Sequence, residues 1–207
     1  MSDEIAVTRR AWHGVAEQLL AGPQYRRSGT IRLRVTPGGF GTIADPAVRV
    51  EGTELVTPAG TASLAGTTIG QLAAESGLDA GPPAGLYTDG SGVRPDELLQ
   101  VDPAAAKLLA DALTLGDAAL RRFAPSVTPV LWPEHFDLGI SVDEVNYGVS
   151  LGDTYLAEPY AYVGPHQPRA DPFFNAPFGA ARALTELPEI QSLLAFFAEG
   201  RLKARAA

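Results

Sequence analysis

The chain predicts an α+β fold, with an antiparallel sheet of about six strands in two meanders and helices packed on one face. Three observations carry this. Runs with period-two alternation cluster in two places, between 29 and 64 and between 131 and 163. Stretches with apolar residues at helical spacing flank each cluster. Strands follow strands rather than alternating with helices, which argues against a doubly wound parallel sheet. The order helix, strands, helix occurs twice, so a divergent duplication is one route to this fold. The chain reads as a single α+β domain over 1–207. The alternative division is into halves 1–80 and 100–207, joined by a Gly/Pro-rich loop.

Residues 4–21 place Ile5, Val7, Trp12, Val15, Leu19 and Leu20 near helical spacing, and Gly22-Pro23 is expected to stop that helix. From Gly29 to Pro37, Ile31, Leu33 and Val35 alternate with Arg32 and Arg34, the pattern of a half-solvated strand. Gly38 to Gly41 reads as a turn. Val48–Glu51 and Glu54–Val56 bracket Gly52 as a hairpin, with a weaker strand near Thr61–Leu64. Thr67 or Thr68 can cap a short helix through Leu78. Between Asp79 and Pro95 the composition shifts to Gly, Pro and Asp, the signature of a long loop. Asp102-Pro103 supplies an N-cap and a first-turn proline for a helix from 103 to about 123. Three strands follow, then a Pro-rich loop over 164–177. Helices over about 178–186 and from Pro188 to about 203 close the chain.

The densest chemistry lies in Leu131–Pro165. With Asp143-Glu144 as a two-residue turn, Val142 pairs with Val145, Ile140 with Tyr147, Leu138 with Val149 and Phe136 with Leu151. The opposite face then carries His135, Asp137, Ser141, Asn146 and Ser150. The third strand has two registers, set by a two- or three-residue turn at Gly152-Asp153. In the longer turn Tyr155 pairs with Leu151, and Glu158, Tyr160 and Tyr162 join the face of His135 and Asp137. The better hydrophobic match favours that register, although Pro159 cannot donate to a ladder.

His135 beside Asp137 has the residue types of a general base oriented by a carboxylate. Glu158, Tyr160 and Tyr162 share a face and offer flat apolar area with hydroxyl handles, suited to a polar ligand. Trp132, Asn146 and His166 complete the candidate ligand contacts. The structural alternatives are a surface His–Asp pair and tyrosines that simply pack a sheet edge. His135, Asp137, Glu158 and His166 have metal-ligand chemistry, but no two of the three histidines stand at close ligand spacing, so no metal site is expected. Phe173 and Phe174 sit in a proline-bounded loop that either covers the polar face or anchors to the core. His13, beside Trp12 on the first helix, reads as structural or solvent-facing. The glycine runs match no dinucleotide-binding, phosphate-loop or nucleophile-elbow pattern.

Composition sets the outer limits. The 207 residues are 45% apolar and 19% charged, enough to bury a proper core. A formal net charge of -8 argues against nucleic acid and against anionic membrane as partners. The chain has no cysteine, which removes disulfides, thiolate nucleophiles and iron–sulfur clusters. The start, Met-Ser-Asp-Glu, lacks the pattern of a secretory signal, and no long apolar run is present, so a cytoplasmic protein is expected. Only Lys107 and Lys203 among the 16 basic residues are lysine, a usage that suggests a high-GC bacterium.

Leu131-Trp-Pro-Glu-His-Phe-Asp-Leu138, Asn146-Tyr-Gly148 and Glu158-Pro-Tyr-Ala-Tyr162 resemble a pattern in uncharacterised bacterial proteins, some grouped as a domain of unknown function. The likeness covers about a third of the chain. Position 134 is Glu where that pattern has a second His. The group brings no activity with it. In the N-terminal half, strands followed by a short helix resemble a sterol-carrier-like lipid-binding fold. The expected function is binding of a small polar or aromatic molecule on the 131–166 sheet face, with acid/base chemistry at His135 oriented by Asp137. No cofactor is expected, a homo-oligomer is compatible with the sequence, and catalysis itself stays open. The alternative is a non-catalytic interaction module or an apolar-ligand carrier.

Overall fold

The structure, a computed structural model, describes residues 2–88 and 90–205. It is α+β. Ten strands form an antiparallel sheet in the order β10-β9-β8-β7-β6-β1-β2-β3-β4-β5. The sheet therefore has ten strands rather than about six. The chain divides into two compact units, Met1–Asp111 with Leu131–Phe136, and Ala112–Val130 with Asp137–Ala207.

The first unit opens with α1 (Ser2–Val15), a π-helical segment (Ala16–Ala21) and α2 (Gly22–Ser28). The expected stop at Gly22-Pro23 does not occur. Proline lacks the N–H that an α-helix needs and crowds the preceding turn. The helix widens just ahead of Pro23, and the Gly22 N–H bonds back to the Glu17 carbonyl, five residues earlier. The helix then ends at Gly29, whose φ of 74° closes α2.

Five strands follow: β1 (Leu33–Thr36), β2 (Gly39–Thr42), β3 (Arg49–Glu51), β4 (Glu54–Thr57) and β5 (Gly60–Ser63). The expected turn over Gly38–Gly41 is largely β2, because Phe40 pairs with both Val35 and Val50. Val35, Phe40, Val50, Leu55 and Ala62 form one cross-strand row. Trp12 packs edge-on to Phe40 at 5.5 Å and donates its indole N–H to Gly52. Helix α3 (Ile69–Ser76) starts at Thr68 in a reciprocal capping box with Gln71. Helix α4 (Pro103–Phe123) has the predicted bounds, and Asp102 accepts the Ala105 N–H at 2.8 Å. The short β6 (Val130–Trp132) follows α4.

The second unit contains β7 (Asp137–Val142), β8 (Val145–Ser150), β9 (Tyr160–Pro165), β10 (Ala180–Ala183) and α5 (Ile190–Arg205). Its first hairpin has the predicted register, from Val142–Val145 to Leu138–Val149, around Asp143 and Glu144 at φ 53° and 60°. Phe136 and Leu151 lie outside these strands, so that predicted pair does not form. Neither predicted register for the third strand is correct: Ser150 pairs with Tyr160 and Gly148 with Tyr162. Residues 151–159 form a loop, which moves Pro159 out of the ladder altogether. The expected helix over 178–186 is instead β10 and a turn. Gly116 of α4 and Gly200 of α5 let the helices sit close to β8 and β9. A Cβ at either would meet a valine, Val149 or Val163, at 2.8 Å. No helix among the described residues is long and apolar enough to cross a membrane.

Candidate functional site

In the first unit a buried polar centre forms where the π-helical segment meets the glycine-rich loop. Glu17 is 5% exposed, and its carboxylate accepts the Ser91 N–H at 3.1 Å and the Ser91 hydroxyl at 2.7 Å. Gln18, 4% exposed, donates to the Val93 carbonyl at 2.7 Å, while its own carbonyl accepts the Gly81 N–H. The loop can lie this close because small residues meet at the contact. A Cβ on Gly14 would press on Val93 at 2.7 Å, one on Gly22 would strike the Gly81 carbonyl, and one on Gly90 would strike the Glu17 carboxylate. Positions 14, 18 and 22 make one stripe along the helical run, with Glu17 beside it.

His13 lies one turn before Glu17. Its ring stacks on Phe136 with centroids 5.2 Å apart, and Nε2 lies 2.7 Å from the Pro133 carbonyl. A carbonyl can only accept, so Nε2 carries the proton and Nδ1 is the basic nitrogen of the neutral ring. Burial lowers the His13 pKa below its ordinary 6.5. The Pro133 hydrogen bond and the Glu17 charge oppose that fall, and His135 and Arg9 add to it.

Tyr87 completes the centre. Its hydroxyl is buried and directed at the Glu17 carboxylate, in a contact outside normal hydrogen-bond geometry. Burial raises its pKa, and the charge of Glu17, a hydrogen bond toward the Glu17 carboxylate and the charge of Glu134 raise it further.

The 131–136 segment belongs to this unit. Trp132 is half-buried and lies under the Arg32 guanidinium at 5.7 Å. Glu134 and His135 occupy a turn, not a strand, with His135 Nε2 at 3.5 Å from Glu134 and its side chain 69% exposed. Phe136 holds φ at +52°, a left-handed conformation rare for a bulky residue, and this ends the strand alternation on which a shared His135/Asp137 face depended.

The remaining predicted residues lie in the second unit. Asp137, Ser150, Tyr160 and Tyr162 share one face of β7–β8–β9. The Tyr162 hydroxyl donates to Asp137 in a short hydrogen bond, and Tyr160 donates to Asp153 at 2.6 Å. Burial and these carboxylates raise both phenol pKa values. The Tyr162 ring lies across the paired Gly139 and Gly148; a Cβ on Gly139 would meet its hydroxyl at 2.7 Å. Glu158 stays in the loop before β9 and accepts from Thr185 at 3.1 Å. Asn146 and His166 meet at 3.3 Å. Tyr155 and Phe178, 44% and 40% exposed, flank Tyr160 with ring centroids 6.2 Å from it.

Sequence reasoning missed Glu17, Tyr87 and Ser91 and assigned His13 no chemistry. The available signal was the His13–Glu17 spacing of one helical turn, with Glu17-Gln18 interrupting an apolar run just before Gly22-Pro23. Among the described residues no three His, Cys, Asp or Glu side chains are grouped to hold a metal ion. Compared with protein-family models, with curated proteins and with solved structures, the chain has no significant match.

Proposed function

We propose that this chain binds a small polar molecule at the His13–Glu17–Tyr87 centre and moves a proton on it. The carrying observation is the buried Glu17 carboxylate, oriented by both donors of Ser91 on a π-helical turn beside an imidazole with lowered pKa. A neutral imidazole near physiological pH can act as a base, and a carboxylate within its field stabilises the imidazolium that results. In this reading Nδ1 of His13 accepts the proton, Glu17 balances the charge, and the Tyr87 hydroxyl turns its hydrogen bond from Glu17 to developing negative charge. His135 and Glu134, more exposed, supply the rim. Left-handed Phe136 and the π-turn are local departures from regular backbone of the kind that collect at functional sites. The protein is read as cytoplasmic.

The test is a thermal-shift screen of small hydroxy acids, amides, sugars and nucleosides against wild type, His13→Gln and Glu17→Gln. Hits are then followed for deuterium exchange at carbon by NMR. A compound that stabilises wild type, fails to stabilise Glu17→Gln, and exchanges only with His13 intact supports the reading. Equal stabilisation of all three proteins overturns it.

A second reading keeps the ligand on the 131–166 sheet face. The exposed rings of Tyr155 and Phe178 beside Tyr160 favour it, as a stacking platform for an aromatic or sugar-like molecule. Against it, the Tyr160 and Tyr162 hydroxyls and the Asp137 and Asp153 carboxylates already satisfy one another. The apolar-carrier alternative gains little from the groove of about 730 Å³ along α1, whose lining mixes Asp3, Glu4 and Asp102 with Leu98 and Val101.

A further inference from the structure

The hairpin end of the second unit gathers several buried donors around one small cavity. Tyr147 is 0% exposed, its ring held by Phe123 at 4.7 Å and Phe197 at 6.0 Å. Its hydroxyl is buried and takes a side-chain hydrogen bond from Arg201, while its own proton has no acceptor of normal geometry among the described residues. Nε of Arg169 and Nε of Arg201 also lack an acceptor of normal geometry among the described residues. All three side chains line one cavity of about 40 Å³. Buried polar groups are almost always paired, so three in one small space form a pattern rather than a scatter.

The chemistry of the missing partner follows from the donors. An arginine Nε–H can only donate, and a phenol can donate. A group that satisfies two guanidiniums and a hydroxyl together must present several acceptor atoms, which is the description of an oxyanion. Charge narrows the class. Arg205 also lines the cavity and is paired with Asp143 at 2.6 Å, and Glu144 stands beside it. Three guanidiniums against two carboxylates leave one net positive charge, the complement of a monoanion. Asp171, two residues from Arg169, is held by Lys203 at 3.0 Å and so has a cation of its own. The walls are preorganised: the Arg201 guanidinium stacks on Phe123 at 4.4 Å, and α5 places Arg201 and Arg205 one turn apart. We propose that this cavity is a binding site for a compact carboxylate, gripped by Arg169 and Arg201 with the Tyr147 hydroxyl at its floor. The site is separate from the His13–Glu17 centre and stands whether or not that reading holds.

The experiment is an NMR titration of the Arg169 and Arg201 Nε–H signals with acetate, with phosphate and chloride as parallel arms at constant ionic strength. Wild type, Tyr147→Phe and Arg201→Met are compared; the methionine keeps an apolar stem over Phe123. Saturable acetate shifts are expected in wild type, with affinity about tenfold weaker in Arg201→Met, the loss of one charge-assisted hydrogen bond. A smaller loss is expected in Tyr147→Phe. Thermal midpoints run alongside give a readout that a folding defect cannot mimic. Tyr147→Phe deletes a buried hydroxyl to which Arg201 donates, so without acetate its midpoint falls by no more than one such bond, and with acetate it gains less than wild type. Shifts that do not saturate, that chloride reproduces, or that both variants retain overturn the site. Saturation by phosphate but not acetate overturns the carboxylate assignment.

Discussion

The Glu17 carboxylate takes both the backbone N–H and the hydroxyl of Ser91, a residue 74 positions away in sequence. This contact ties the π-helical segment to the 81–93 loop and gives a buried charge its hydrogen-bond partners.

Ser91→Ala removes one donor from a buried carboxylate. An unsatisfied buried group of this kind costs about 1–3 kcal/mol, so the denaturant midpoint should fall with an unchanged m-value. Ser91→Thr, which keeps the hydroxyl, should recover most of the loss.

Gly22→Ala drives a Cβ into the Gly81 carbonyl, backbone against backbone, with no flexible side chain to yield. The loop should lift from the helix. Limited proteolysis between 81 and 93 should become faster while hydrogen exchange in the β7–β8 hairpin stays unchanged. Equal cleavage rates in wild type and variant would contradict the docking.

The Tyr162 ring covers Gly148, so Gly148→Ala places a methyl against both that ring and the Leu138 carbonyl. Overpacking of this kind costs about 1–3 kcal/mol. The double variant Gly148→Ala with Tyr162→Ala should lose less than the sum of the single changes, since the ring's part of the clash disappears while that with the Leu138 carbonyl remains. Additive losses would show that the ring does not occupy that space.

His13 sets a pH dependence of stability. Its folded pKa lies below its unfolded value of about 6.5. Between those two values the unfolded chain binds more protons, so stability rises with pH in that window. Its contribution is present above pH 6.5 and is lost as pH falls through the folded pKa. His13→Gln should flatten the stability profile in that window, read by thermal melts in buffers from pH 5 to pH 8.

Much of the fold is legible because local pattern and tertiary need agree. The 137–150 hairpin pairs apolar with apolar on both strands, and Asp102-Pro103 marks the start of α4 with a cap and a first-turn proline. Where they disagree, the sequence misleads. Ala180–Ala183 reads as helix from its alanines but completes the sheet beside β9, where small residues sit opposite Tyr160 and Tyr162. Gly38–Gly41 reads as a turn from its glycines, but Gly39–Thr42 is held as a strand by Phe40. Pro23 reads as a stop, and the helix passes it by widening. The candidate centre was harder still. Glu17 and Gln18 look like the wet face of a helix, and they are dry only because a loop more than sixty residues away lies on them. His135 was legible as chemistry, but left-handed Phe136 removed it from the strand where alternation had put it.

The most direct test of the buried base is an NMR titration of the His13 and His135 imidazole nitrogens in wild type and Glu17→Gln. The expected result is a neutral His13 ring protonated at Nε2, with a pKa below 6.5 that falls further when the Glu17 charge is removed. A His13 pKa at or above 6.5, a proton on Nδ1, or no response to Glu17→Gln would contradict the proposed centre.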